Sequence, residues 1–213
     1  MTSSRIRPEI QALRAVAVLS VVGFHLWPGR LSGGYVGVDV FFVISGFLIT
    51  SQLMREAEAE DRVRLGRFWA RRSRRLLPAA YLVLLVSAVG VRLWLPAAQW
   101  TQNFREIVGS ALYVENWVLA IDSVDYLAAD GVPSTVQHYW TLSVEEQFYL
   151  VWPLLVLVAL VLARRSGRDR RTVVLAVLAL VTLMSFAYSL WLTAHRPQPA
   201  YFATPTRAWQ FGA

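Results

Sequence analysis

Cysteine and lysine are both absent from the 213 residues. The first absence excludes disulfides, thiolate nucleophiles and cysteine-ligated metals, and no metal site is expected. The second means that all 21 basic residues are arginine. Charge is scarce as well. Only 16% of the residues are charged and 56% are hydrophobic, too apolar for an ordinary soluble domain. The arginines stand against 14 acids and leave a net charge of +7. In a soluble chain such a surplus suits nucleic acid. Here the arginines flank long apolar runs, so the surplus reads as positive-inside anchoring, and no nucleic-acid partner is expected.

Five apolar runs are long enough to cross a bilayer core of about 30 Å as helices. They cover residues 10–27, 36–54, 76–95, 143–162 and 172–193. Pro28-Gly29 stops the first, Pro78 lies in the first turn of the third, and Pro96 ends it. Arg5 and Arg7 precede the first run as they would in a signal peptide. Arg14 and His25 interrupt that run and no small-residue cleavage site follows, so it reads as a retained span. Residues 1–14, the charged connector 55–75 and the loop 164–171 hold 16 of the 21 arginines. With five spans they all fall on one side, which places the N-terminus in the cytoplasm. The acid-rich connector 97–142 falls on the other side. It reads as a helical piece near 104–119 and a turn at Asp130-Gly-Val-Pro133. Pro197 and Pro199 mark a further loop. Residues 204–213 open a sixth apolar segment that is too short to cross. The expected fold class is all-α, a polytopic transmembrane helix bundle of five complete spans plus the start of a sixth. Residues 1–213 then form one transmembrane domain, truncated at its C-terminus.

Four constellations carry chemistry. Arg14 and His25 are 11 residues apart, about three turns, so they share a helix face some 16 Å apart along the axis. Both are costly inside a span. One reading is a snorkelling arginine and a hydrogen-bonded packing histidine. The other is a general base, because neutral imidazole takes a proton near pH 7. In the second group, Gly33-Gly-Tyr-Val-Gly-Val-Asp-Val-Phe-Phe-Val-Ile-Ser-Gly46, glycines permit close backbone approach and Asp39 sits at a helix start. Its bland reading is a cap and a packing surface. The third, Phe68-Trp-Ala-Arg-Arg-Ser-Arg-Arg-Leu-Leu-Pro78, is either an anchor for anionic lipid or a phosphate clamp. Arg72 and Arg75 share a face there, as do Arg71 and Arg74, so only one pair points at a given ligand. The fourth runs from His138 to Pro153. Ser143 with Glu146 has the spacing of a capping box. Glu145 and Gln147 have no such role. A carboxylate at this span mouth orients a histidine or holds a sugar hydroxyl, and His138 either lines the same mouth or belongs to a wet loop.

Several of these stretches fall in a familiar order: Arg14-x10-His25; Gly37-Val-Asp-Val-Phe-Phe with Ser45-Gly46; Phe68-x-x-Arg-Arg-x-x-Arg75-x-x-Pro78; His138-x-Trp-x-Leu-x-Val-Glu-Glu-Gln-Phe-Tyr149; and Thr206-Arg-Ala-Trp209. The ordered set resembles the membrane acyltransferase-3 family, the O-acetylases of bacterial surface polysaccharides, from Arg14 through Arg207. Thr141 stands where that family usually has serine. The resemblance implies a multi-pass enzyme of the bacterial inner membrane. Its reaction would move an acyl group, usually acetyl, from cytoplasmic acetyl-CoA to a hydroxyl of a cell-surface glycan or glycoside. It implies His25 as the catalytic histidine and Arg14 as its essential partner, with Glu145 added to the catalytic set. Arg72 and Arg75, with Arg71, would bind the CoA phosphates. Asp39, Ser45, His138, Glu146 and Arg207 would bind substrate. Peptidoglycan, lipopolysaccharide, exopolysaccharide and small glycosides all remain open as acceptors, and membrane lipids are the other partner. Family members have more spans than this chain. The rival readings are a proton-coupled transporter that uses Arg14 and His25 as a relay, and an inactive truncated membrane protein.

Overall fold

The computed structural model describes residues 7–60, 63–123 and 133–213. The described residues form nine α-helices, two single 3-10 turns (Gly34–Val36 and Ala97–Gln99) and no strand. The α-helices are α1 (Pro8–Leu26), α2 (Gly37–Glu60), α3 (Leu65–Trp94), α4 (Trp100–Ala111), α5 (Glu115–Asp122), α6 (Tyr139–Ser166), α7 (Arg170–His195), α8 (Pro197–Phe202) and α9 (Thr204–Gly212). The helices α1, α2, α3, α6 and α7 are each long and apolar enough to cross a membrane. The protein is a multi-pass membrane bundle. Leu13, Val16, Leu19 and Val22 on α1 and Leu82, Leu85, Val86 and Leu93 on α3 are exposed, as lipid-facing side chains are.

Local chemistry sets the helix ends. Pro8 occupies the first turn of α1, where its missing N–H costs nothing, and Glu9 complements the helix dipole beside it. Gly167 takes a left-handed conformation (φ 65°) that closes α6. Two residues on, the Asp169 carboxylate accepts from the Thr172 backbone N–H and hydroxyl, both at 2.8 Å, and so opens α7.

At the centre is α6. Trp140, Val144, Phe148, Tyr149, Trp152 and Val156 are buried against Phe42, Ile49 and Leu53 of α2, Val174 and Leu178 of α7, and Phe211 of α9. Two glycines make the close approaches. A methyl group at Gly37 would run into the Ala17 carbonyl of α1, and one at Gly46 would overlap the Phe211 carbonyl of α9. Helix α2 is therefore pressed between α1 and α9.

Several boundaries differ from the sequence reading. The charged connector is largely helical: α2 continues to Glu60, and α3 already starts at Leu65. Arginine is a good helix former, and only Gly66 weakens the run before Pro78. Pro78 consequently lies inside α3 rather than in a first turn. The single piece near 104–119 is two helices, broken where Tyr113 takes φ 56°. Pro197 does not mark a loop but starts α8, as proline does at a first helical position. No capping box forms at Ser143. Helix α6 begins four residues earlier, the Ser143 hydroxyl donates to the Tyr139 carbonyl, and Glu146 binds an arginine instead. The expected turn at Asp130–Pro133 lies largely outside the described residues.

Candidate active site

Helix α2 has polar chemistry on two of its faces. One face carries Val38, Phe41, Ser45, Leu48, Ile49 and Gln52 into a cavity of about 740 Å³. Phe68, Arg71, Arg72, Arg75 and Leu76 of α3 enter it from the other side, with Arg14 of α1 and Thr141, Glu145 and Tyr149 of α6. The three arginines of α3 share one face because they fall at i, i+1 and i+4. Arg74 points away and its Nε donates to the Ala70 carbonyl. Of the two i, i+3 pairs, only Arg72 and Arg75 line the cavity together, and Arg71 joins them without Arg74.

The arginines differ in their engagement. The Arg72 Nε donates to Glu146 Oε1 at 3.1 Å, and an Arg72 terminal nitrogen lies 3.8 Å from Glu145 Oε1. The Arg72 guanidinium also covers the Tyr149 ring, 3.0 Å from its centroid. Arg14, Arg71 and Arg75 have no ion pair among the described residues, so their forks are free toward the cavity. Glu145 is held through one carboxylate oxygen, Oε1. It accepts from Ser45 at 2.5 Å and from the Tyr149 hydroxyl. Its partners among the described residues are thus Ser45, Tyr149 and Arg72.

His25 does not line this cavity. It occupies the last turn of α1, exposed, and its Nδ1 is 2.8 Å from the Val21 carbonyl. That contact requires Nδ1–H, which leaves Nε2 of the neutral ring as a lone-pair acceptor. Phe24 beside it meets His25 and Tyr35 edge-on. His138 precedes α6 and lies close enough to feel His25. Partial burial first, and the neighbouring His25 second, hold its pKa below the ordinary imidazole range.

The second polar face of α2 is turned to α9. Asp39 Oδ1 accepts from Gln210 at 2.9 Å and from Arg207 at 3.3 Å. Arg207 also donates to the Tyr201 carbonyl and lies over the Tyr201 ring at 4.5 Å and toward Trp140 at 5.8 Å. Asp39 is thus an inter-helix partner rather than a simple cap.

Sequence reasoning missed Tyr113 and Gln210, and it singled out Gln147 and ended a motif on Tyr149 without giving either a role. The i, i+4 spacing of Glu145 and Tyr149 was a signal for their contact. Tyr113 has burial, then Glu146, pushing its phenol up to about 12, so it stays protonated. Gln147 is a hub. Its amide donates to the Tyr113 carbonyl and to Asn116, while its carbonyl accepts from Trp117 and Thr204. This network ties α5, α6 and α9 and fixes the level at which Glu145 and Glu146 meet Arg72.

Comparison with known proteins agrees with this arrangement of motifs. No solved structure matches the chain. The peptidoglycan O-acetyltransferase OatA of Listeria monocytogenes is 35% identical over 207 residues, covering 94% of this chain and 32% of that protein. The O-acetyltransferase OatA of Staphylococcus aureus is 35% identical over 210 residues, covering 97% and 33%. The chain therefore spans about a third of the length of these curated relatives. The family model for an acyltransferase domain matches residues 7–212. On these grounds the chain belongs to the acyltransferase-3 family of membrane proteins.

Proposed function

We propose that this domain moves an acetyl group from acetyl-CoA to a hydroxyl of a cell-surface glycan, with peptidoglycan the favoured acceptor. One observation carries the reading: Arg14, Arg71 and Arg75, without an ion pair among the described residues, line one cavity whose level along α1 is about 16 Å from His25. A long donor with phosphates at one end and a thioester at the other suits that layout, since guanidinium forks match phosphate oxygens. The donor supplies the activated acyl group. Arg71 and Arg75 hold its phosphates, and Arg14 continues the positive lining toward the upper half of α1. Arg72 aligns the wall through Glu145, Glu146 and Tyr149. His25, with Nδ1–H fixed on Val21, presents Nε2 to the acceptor hydroxyl and takes its proton as the oxygen attacks the thioester carbonyl; the new C–O bond replaces the C–S bond, and CoA leaves as the thiol when its sulfur takes up the proton. The arginine side is cytoplasmic by the positive-inside rule, which places the donor inside and the acceptor outside the inner membrane.

The test is label transfer by the full-length protein in proteoliposomes, with labelled acetyl-CoA on the arginine side and glycan on the other. Wild type is expected to label glycan, and His25→Ala to lower the rate by at least about 100-fold, the size of a lost general base. Undiminished transfer by His25→Ala removes the base role. Solute flux without any CoA dependence would favour the transporter reading instead.

A further inference from the structure

A second cavity, of about 390 Å³, opens between the last turns of α2 and the turn that joins α6 to α7. It shares no lining residue with the arginine cavity described above. On α2 its wall is Met54, Ala57 and Glu58, which fall at i, i+3 and i+4 and so share one face. Leu160 of α6 joins them, and residues 167–171 complete the lining. A methyl group added at Gly167 would meet nothing within 4 Å, so the turn borders open space rather than packed chain.

Each part has a chemical consequence. Asp169 is committed to the cap of α7, where it accepts from the Thr172 N–H and hydroxyl. Attraction for an anion therefore comes from guanidiniums and not from the helix end. Arg168 and Arg171 are exposed and make no ion pair among the described residues. With Arg170 they stand against two carboxylates, Glu58 and Asp169, which leaves the recess one positive charge. That balance matches a single phosphodiester whose remaining end is uncharged. Guanidinium forks fit its oxygens, and Glu58 can accept from hydroxyls beside it. The floor is apolar, since Ala57 and Leu160 are buried. Leu175, one turn along α7 from Arg171 and on the same face, is exposed, as are Val161 and Leu162 of α6. On membrane-spanning helices such side chains meet acyl chains. A lipid thus finds arginine for its phosphate and exposed leucine for its tails, whereas a free phosphate uses only the first.

We propose that this recess binds the headgroup of an anionic phospholipid with one phosphodiester and a hydroxylated, uncharged end, of the phosphatidylglycerol type. Basic pockets between spans hold anionic headgroups by the same physics. Bound there, the lipid bridges the end of α2 to the α6–α7 turn. The site is independent of the transferase reading and is tested without acetyl transfer.

The experiment titrates the full-length protein in detergent with dioleoyl phosphatidylglycerol, and in parallel with dioleoyl phosphatidylcholine, and counts bound lipids by native mass spectrometry. One phosphatidylglycerol per chain is expected to bind at least about tenfold more tightly than phosphatidylcholine, as a charge-assisted contact requires. Arg168→Gln and Arg171→Gln should each weaken that first lipid about tenfold or more. Arg165→Gln removes a neighbouring arginine that does not line the recess and should change binding by less than about twofold. If Arg171→Gln disturbs the start of α7, Arg168→Gln decides, because Arg168 is exposed in the turn before the helix. The site is overturned if the two lipids bind alike. It is equally overturned if all three variants lose the same amount, roughly fivefold each, as diffuse attraction of a basic surface to an anionic membrane predicts. Displacement of the first lipid by inorganic phosphate at equal concentration overturns the lipid as occupant and leaves a soluble-anion site.

Discussion

Arg72 and Arg75 lie one turn apart on the same cavity wall, yet they answer to different energies. Arg72 pairs with Glu146, lies 3.8 Å from Glu145 and covers the buried Tyr149 ring. Arg72→Ala strands two carboxylates. It is expected to cost on the order of 2 kcal/mol of stability, less than a fully buried pair because each side chain keeps about a quarter of its exposure. Arg75 has no such partner among the described residues. Arg75→Ala should leave the melting temperature within about 1 °C, since unpaired surface-type charges contribute little. It should raise the KM for acetyl-CoA about tenfold. Thermal unfolding in detergent and donor kinetics check both. A second residue-scale prediction concerns Glu115, which is fully buried against Glu106. Burial first, and the Glu106 charge second, push its pKa up to about 10, with Asp122 adding to the rise and Arg105 opposing it. Above the ordinary carboxyl range the folded chain holds a proton that the unfolded chain has released. Stability from this group is therefore complete at low pH and falls as pH climbs toward 10. Glu115→Gln should raise the melting temperature by about 2–4 °C at pH 8, equivalent to roughly 1 kcal/mol. The gain should vanish near pH 4.5. Melting curves at the two pH values decide it. The sequence announced Arg14 and His25 because a polar group in an apolar run is conspicuous. It was silent on what Glu145 and Asp39 touch, because their partners Ser45 and Arg207 lie 100 and 168 positions away in the chain.

Among the elements, α2 decides most. Its glycines read from sequence as a close-approach surface, and Gly37 and Gly46 bear that out against α1 and α9. Gly46→Ala must push α9 away from α2, because the obstacle is backbone. Overpacking of this kind costs about 1–3 kcal/mol. The variant is expected to lower the melting temperature and to loosen the Asp39–Arg207 contact, which cross-linking between α2 and α9 would register. The long apolar helices were legible because hydropathy fixes length and position. The start of α3 was not, since an arginine-rich amphipathic turn and a polar linker have the same composition and only packing of Phe68 and Trp69 against α6 distinguishes them. Helix α8 was hidden for a similar reason: a proline pair punctuates a loop and opens a helix equally well.

At the scale of the whole molecule, the natural absence of cysteine makes topology directly measurable. The proposed orientation predicts that Ser166→Cys reacts with an impermeant maleimide only from the cytoplasmic side, and Gln99→Cys only from the outside. Reversed labelling would reverse the placement of donor and acceptor. The helix bundle and its handed distribution of arginine were readable from the chain, whereas the separation of two polar sites by α2 required the packing itself. That packing includes a column of rings: Phe42 stacks on Phe211 at 4.6 Å, and Phe211 on Phe148 at 3.8 Å. Phe42 borders the arginine cavity, and Phe211 follows Gln210, which donates to Asp39. A membrane protein open to water from both ends is in danger of conducting. Stacked phenyl rings offer ions and protons no hydrogen-bonded path, and a bare charge at such depth costs several kcal/mol. The column thus lays an apolar contact of α2, α9 and α6 beside the arginine cavity, with no polar side chain between the three rings to carry a charge.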